Sequence, residues 1–586
     1  MPDIRSAIGR RGACLCAAAA FCLLDTVAAA TGGDETASDT VVSVCGRDVT
    51  APNAMVVTAD SIASAVGNRV LVDGGNAIDA AVAAGFALAV TLPRAGNIGG
   101  GGFMLVRLAN GGEEFIDYRE RAPLDAHRDM YIDDAGKVIP EASTVGHLAA
   151  AVPGTVYGLA IAHKTHGTLP WRRLLEPAIE LARDGFAVSP SLARSLRKSS
   201  TLLNRFEESR EIFVGPGYRP GDRLVQPDLA ATLERIAEDW TDFYSGTTAH
   251  LIVEEMKRGG GLITVKDLGA YDAVAREPIR VRYRDHEIVS APLPSSGGVI
   301  LSQLFQILER HGASSLRRQS AAYVHLVSEA EKVAYRGRAL YLGDADFYES
   351  PWEKMIDPRT IQELSDLISS EAKLKVDSLE SKNLLSGTDH GVTSFEQTTH
   401  ISIVDGFGNA VANTYTLNGS YGSGVVVKGA GFILNNEMDD FAIKPGHPNL
   451  YGLVGSEANA IAPGKRMLSS MSPTFVYKGD KLYMVVGTPG GATIPTSVFQ
   501  VIVNVIDRGM GLGEAVAARR FHEQYLPDRI YIENGALAPD VIDELLAIGH
   551  RIEIRKPIGN IQAILIEDGT LTGVSDPRGS GRAIGH

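Results

Sequence analysis

The sequence predicts an α+β fold in which two packed sheets lie between helical layers. Three observations predict it. Short β-branched or alternating segments, the pattern of strands, recur on both sides of residue 398. Helical patterns with apolar residues three and four apart concentrate on either side of those strands. One helical pattern, 78–89, is apolar nearly all round, as in a helix buried on every face. Elements of these kinds cover one another's apolar faces in stacked layers. Two packed sheets between helical layers satisfy the pattern, and periodicity alone does not fix that arrangement.

A chain of 586 residues has room for two to four domains or one large composite fold. Its 45% hydrophobic and 22% charged residues are those of a globular protein. A net charge of −14 argues against nucleic-acid binding, which usually shows as a basic patch. The first thirty residues read as a signal peptide: Arg5, Arg10 and Arg11 form a positive start, Ala13–Leu24 a short apolar run, and Ala28-Ala29-Ala30 a cleavage site. The run is about half of what a spanning helix needs, so no stable membrane anchor is expected. The expected location is the periplasm, with secretion as the alternative. Cleavage would leave Cys45 alone of four cysteines, so no internal disulfide is expected.

In chain order, residues 31–50 are polar and expected to be poorly ordered. Met55–Thr58 reads as a strand, 60–66 as a short helix, and Asp73-Gly74-Gly75-Asn76 as the turn that starts helix 78–89. The glycine run Gly99–Gly102 leads into a strand, 103–107, and no Lys-Ser/Thr follows it; close backbone packing explains it better than phosphate binding. The strand from Phe115 runs into Arg119, which could hold a carboxylate in a bidentate pair or form a structural ion pair with Glu120 or Asp117. A Pro153-Gly154 turn leads into helix 156–166, and amphipathic helices follow, clearest at 174–184 and 229–239. A strand at 279–289 stops at Ala291–Gly298, ahead of helices 299–311 and 323–341. The acids and bases of the latter, Glu329, Glu331, Lys332, Arg336 and Arg338, read as a solvated face.

Beyond residue 398 come a hairpin to Asn418, a short strand at 431–435 and strands at 474–477 and 482–487. Helices are expected at 493–507, 512–520 and 540–548, with strands at 530–532 and 563–566. The stretch 444–466 has no periodicity, and a loop that long is usually functional, often a lid. Tyr451 within it either gates a pocket or simply packs the loop.

Chemistry concentrates at Gln397-Thr398-Thr399-His400, where a strand begins directly after a polar, turn-rich segment, 374–396. A chain cut there exposes an N-terminal threonine, which carries a hydroxyl nucleophile and an α-amine base on one residue. Locally, an ordinary hairpin strand explains the stretch as well. Farther on, Pro489-Gly490-Gly491 opens a helix, and its amides suit an anion or oxyanion.

Taken together, the motifs Gln397–His400, Thr414–Asn418, Leu434–Phe441, Ser469–Thr474 and Gly487–Gly491 resemble the γ-glutamyltranspeptidase family of N-terminal nucleophile hydrolases. Gly99–Phe103, Asp117–Glu120, Val152–Gly154, Pro294–Gly298 and Ser575–Arg578 match in the same order, so the similarity runs from about Ala54 to the C-terminus. The resemblance implies a four-layer αββα sandwich. It implies self-cleavage between Gln397 and Thr398 into a large subunit, 31–397, and a small one, 398–586, that stay together as a heterodimer.

The resemblance also implies roles for individual residues. Thr398 is the nucleophile, Thr416 orients it, and the Gly490 and Gly491 amides hold the oxyanion. Arg119, Ser469 and Ser470 bind the substrate α-carboxylate; Asn418, Glu437 and Asp440 bind its α-ammonium. Asp439 keeps a cap or turn role and His400 a structural one. The implied donors are glutathione and related γ-glutamyl compounds, and the acceptors water, amino acids or dipeptides, with no cofactor or metal. A cephalosporin acylase of the same fold is the nearest rival. Arg119 together with Asp440 favours a substrate bearing both α-carboxylate and α-amine. An inactive binding protein is disfavoured because nucleophile, oxyanion glycines and recognition residues all survive together.

Overall fold

The computed structural model describes residues 48–375 and 398–586; the predicted signal peptide, all four cysteines and Gln397 lie outside them. Two seven-stranded sheets form the centre. The first orders, from edge to edge, Arg582–Gly585, Met55–Thr58, Thr398–Val404, Ala410–Thr416, Gly101–Arg107, Glu113–Tyr118 and Val274–Arg276. The second orders Val49–Ala51, Thr570–Ser575, Gln562–Glu567, Lys481–Gly487, Thr474–Lys478, His286–Ser290 and Ile279–Tyr283. All these pairings are antiparallel.

Side-chain alternation along the strands builds three apolar layers. Between the sheets, Met55, Val57, Phe103 and Leu105 meet Val289, Phe475, Val485 and Ile564. On the outer face of the first sheet, Val56, Met104, Val106, Ile401 and Ile403 pack against helices Ser61–Val72, Ala77–Thr91 and Thr155–His166. On the outer face of the second, Val281, Ile288, Val476, Met484 and Val486 pack against Gly297–Arg310, Ala321–Tyr341 and Ile494–Ile506. Helix, sheet, sheet, helix is the αββα sandwich.

Local chemistry starts the elements where the sequence says it should. Asp60 accepts from the Ile62 and Ala63 amides, and Asn76 with Asp79 forms a capping box on Ala77–Thr91. Every residue of that second helix is buried, as its all-round apolar pattern predicts. The glycine run is a site of close backbone approach: a Cβ on Gly99 would lie 2.1 Å from Ile433 O, and one on Gly100 1.9 Å from Thr416 O.

Three expectations are corrected. The start of the described chain is not loose: Val49–Ala51 is a strand paired with Leu571–Gly573. No strand spans 431–435; Ile433 makes one isolated pairing with Val426. The charged positions of helix Ala321–Tyr341 are not a solvated face, because Glu329, Glu331, Lys332 and Arg338 are all buried. Besides the Glu329–Lys332 pair on the helix itself, partners come from distant segments: Glu329 accepts from the Leu374 amide and Glu331 from the Glu523 amide. Periodicity shows charge on a helix and cannot show that other segments bring hydrogen bonds to it.

Candidate active site

Thr398 opens the central strand of the first sheet, directly opposite Thr416 on the neighbouring strand. Its hydroxyl donates to Thr416 Oγ1 at 3.2 Å, and the Asn418 amide donates to the same oxygen at 2.9 Å. The pleat sends Thr398, His400 and Ser402 toward the second sheet, where Ser402 Oγ donates to Gln562 O at 3.0 Å. Thr399 points the other way, its buried hydroxyl without a partner among the described residues. In the continuous chain the Thr398 nitrogen is a peptide nitrogen.

His400 is wholly buried. Its Nδ1 lies 2.7 Å from Thr414 Oγ1 and its Nε2 3.1 Å from Ser402 Oγ. Burial pushes the imidazole down to about 3, so it stays neutral. A Cβ on Gly487 would lie 2.3 Å from its ring, so that strand of the second sheet packs on His400 through a glycine.

The same strand, Lys481–Gly487, ends at Thr488-Pro489-Gly490-Gly491. Gly490 has φ 147° and Gly491 φ 56°, values that favour glycine. Among the described residues neither N–H finds a protein acceptor. The packing of the two sheets thus sets the end of one sheet's strand beside Thr398, which begins a strand of the other.

Thr398, Thr416, Asn418, Arg119, Glu437, Asp440, Ser469, Ser470, Gly491 and Tyr451 line one small cavity of about 20 Å³. Gly490 stands just behind Gly491 and does not line it. Arg119 is fully buried. It pairs with Glu437, with Asp440 at 2.6 Å and with Glu120 at 3.4 Å. Of the two sequence readings of Arg119, the ion pair to Glu120 forms; Asp117 instead accepts from the Arg119 backbone amide at 2.9 Å. Burial works against the Arg119 charge, but the three carboxylates hold the guanidinium above its usual value. Burial raises Glu437 well above the usual carboxylate range, and lifts Glu120 to about 7 against the pull of Arg119. Ser470 Oγ, Glu437 Oε2 and Glu120 Oε1 are buried without a partner among the described residues. Ser470 and Glu437 line the cavity and Glu120 does not; buried polar atoms are normally paired, so the first two mark a place for a polar ligand.

The stretch 444–466 folds over this cavity. Tyr451 donates its hydroxyl to Asn418 O at 2.7 Å, and its ring packs on Gly491. Asn449 donates to Asp440 at 3.0 Å. The Leu450 amide donates to Asp439 at 2.7 Å, and Ser143 donates to the other Asp439 oxygen at 2.7 Å. Asp439 therefore tethers the loop, and burial raises its carboxyl to about 7.

Sequence reasoning missed three residues here. Asn435 accepts from the Ala151 and Glu437 amides and donates to Gly99 O and Ala151 O, tying the glycine run to the turn at Glu437–Asp440. Glu120 was noticed only as a partner for Arg119. Arg338 lines the cavity. One group of possible metal ligands occurs among the described residues, His325, Glu329 and His550, and none of them lines the cavity. Its ligand atoms are already spent: the two histidines meet at 2.7 Å, and Glu329 accepts from the Lys332 ammonium at 2.7 Å and the Leu374 amide at 2.6 Å.

A family model described as gamma-glutamyltranspeptidase matches residues 63–586. The chain belongs to the γ-glutamyltranspeptidase family. The glutathione hydrolase proenzyme of Escherichia coli (strain K12) is 47% identical over 535 residues, covering 90% of this chain and 91% of that protein. The protein of the same name from Pseudomonas aeruginosa is 48% identical over 535 residues, covering 90% and 93%. The crystal structure of a cephalosporin acylase from Bacillus halodurans superposes with a TM-score of 0.78 at 25% identity, covering 94% of this chain and 99% of that one. The chain is thus an enzyme of the glutathione hydrolase group, on the N-terminal nucleophile hydrolase fold. No helix among its described residues is long and apolar enough to cross a membrane.

Proposed function

We propose that this protein cuts itself before Thr398 and transfers γ-glutamyl groups through a threonyl ester. The observation that carries the reading is the convergence in one cavity of the Thr398 hydroxyl, an arginine, and unpaired buried acceptor and hydroxyl groups. In self-processing, the Thr398 hydroxyl attacks the carbonyl carbon of Gln397, the peptide C–N bond breaks, and water hydrolyses the ester. The products are a carboxylate on Gln397 and a free α-amine on Thr398. Subunits 31–397 and 398–586 remain as a heterodimer.

In catalysis, the freed α-amine takes the hydroxyl proton; its reference pKa near 8 leaves part of it unprotonated at neutral pH. Thr398 Oγ attacks the γ-carbonyl of glutathione or a related compound. Thr416 orients the hydroxyl, and the Gly490 and Gly491 amides stabilise the oxyanion, a donor of this type being worth ~3 kcal/mol. The amine leaving group takes the proton. Water, an amino acid or a dipeptide then cleaves the glutamyl ester. Glu437, Asp440 and Asn418 hold the substrate ammonium, and Arg119, Ser469 and Ser470 its α-carboxylate. The leader 1–30 directs the chain to the periplasm, or out of the cell.

A denaturing gel tests processing. Wild type should run as two bands and Thr398→Ala as one full-length band; a single full-length band from wild type would sink the proposal. The acylase alternative is tested by comparing γ-glutamyl and glutaryl anilides, with and without glycylglycine. Faster release from the γ-glutamyl compound is expected, because only it offers an ammonium to Glu437 and Asp440. Equal rates would count against zwitterion recognition.

A further inference from the structure

Arg338 lies on helix Ala321–Tyr341 and is only 4% exposed, yet it lines the same cavity as Arg119, Thr398 and Ser470. Its one hydrogen bond among the described residues runs from Nε to Ser296 Oγ at 3.2 Å. No carboxylate lies within ion-pair distance of it among those residues. Other deeply buried arginines are paired: Arg119 with Glu437 and Asp440, Arg466 with Asp117 at 3.4 Å, and Arg520 with Asp576 at 2.7 Å. A buried cation without an anion is strongly unfavourable unless something supplies one.

We propose that Arg338 is a second anchor for the α-carboxylate of the γ-glutamyl donor, presenting its two Nη nitrogens from a different layer of the fold than Arg119. The inference rests on the reading of the cavity as a γ-glutamyl site. Arg119 is already engaged: one Nη faces Glu437 and Glu120, the other Asp440. An incoming carboxylate would join three acids around a single guanidinium. Arg338 supplies the missing charge. It is close enough to the site to feel it: burial pushes its guanidinium below the ordinary value, Asp440 pulls it up and Arg119 pushes it down.

The neighbouring hydroxyls fit the same anion. Ser470 Oγ is buried without a partner among the described residues and can donate to a carboxylate oxygen. Ser296, which accepts from Arg338 Nε, donates in turn to Ser469 O at 2.9 Å. That chain fixes the guanidinium relative to the Ser469-Ser470 loop and leaves the Nη edge, whose fork geometry suits a carboxylate. The donor's carboxylate would then lie between two guanidiniums, with its ammonium toward Glu437 Oε2.

The test compares two donors, γ-glutamyl anilide and 4-aminobutyryl anilide, which lacks only the α-carboxylate. In Arg338→Met, kcat/KM for the γ-glutamyl donor should fall about 10- to 100-fold, mostly through KM, the range of a lost hydrogen bond to a charged group. The 4-aminobutyryl donor should be nearly unaffected, so the preference between the two collapses, and Arg338→Lys should restore part of it. Equal slowing of both donors, or an unchanged preference, overturns the proposal. Where Arg338→Met fails to self-process, Arg338→Lys against wild type gives the same readout. Should wild type release product from neither donor, the γ-glutamyl reading itself falls. Calorimetric titration with L-glutamate and 4-aminobutyrate then decides for Arg338: selective loss of glutamate binding in the variant supports it, and equal binding to wild type and variant overturns it.

Discussion

His400 shows how a titratable residue beside the proposed nucleophile can be structural. It shares a strand face with Thr398, but its ring nitrogens are taken by Thr414 and Ser402 and its face by Gly487. Its folded pKa, about 3, lies below the unfolded value near 6.5, so its stability contribution is complete above pH 6.5 and is lost as pH falls toward 3. His400→Asn removes that titration. The stability advantage of wild type over the variant should therefore shrink by about 1.4 kcal/mol per pH unit below 6.5. Urea midpoints at pH 7 and pH 5 measure this, and a constant difference would contradict it. Activity above pH 5 should show no ionisation belonging to His400.

The loop 444–466 is the element that the proposed function makes a lid. Polar contacts hold it over the cavity, among them Asn449 to Asp440, the Leu450 amide to Asp439, Tyr451 to Asn418 O and Gln524 to Tyr451 O. On the proposed function, the loop would lift to admit a donor. Tyr451→Phe removes the bond to Asn418 O, a contact worth about 1 kcal/mol. Limited proteolysis within 444–466 should then quicken roughly 5-fold, with the far-UV spectrum unchanged. An unchanged cleavage rate would mean that Asn449 and Leu450 hold the loop without Tyr451. The sequence flagged this loop by its lack of period, and it flagged the all-apolar helix Ala77–Thr91 just as directly. It misread Ala321–Tyr341, because charges on a helix face water unless other segments approach, and here those segments are up to about 190 residues away in the chain.

At the scale of the whole molecule, the proposed cut falls inside an interwoven architecture. Strand Thr398–Val404 lies between Met55–Thr58 and Ala410–Thr416, and Ala410–Thr416 pairs in turn with Gly101–Arg107. In the second sheet, four strands from after residue 398 stand between Val49–Ala51 and the pair His286–Ser290 and Ile279–Tyr283. Separating 31–397 from 398–586 would strip both sheets of backbone hydrogen bonds and expose the core between them. The processed subunits should therefore stay together on size exclusion at nanomolar concentration, and separate only in denaturant together with loss of secondary structure. Dissociation by dilution alone would refute this.

The sequence by itself determined the strand that begins at Thr398, the glycines packed against its neighbour, the buried helix behind it and the family. Each is written locally, in side-chain type, spacing or an ordered set of motifs. Tertiary structure decided what stands around Thr398. Only the packing of two sheets sets Gly491 opposite Thr398, joins Arg119 to Glu437 and Asp440, and turns Arg338 of a distant helix into the cavity. Burial is the physical reason: it sets the cost of an unpaired charge and the pKa of a buried group, and it depends on what the rest of the chain brings near.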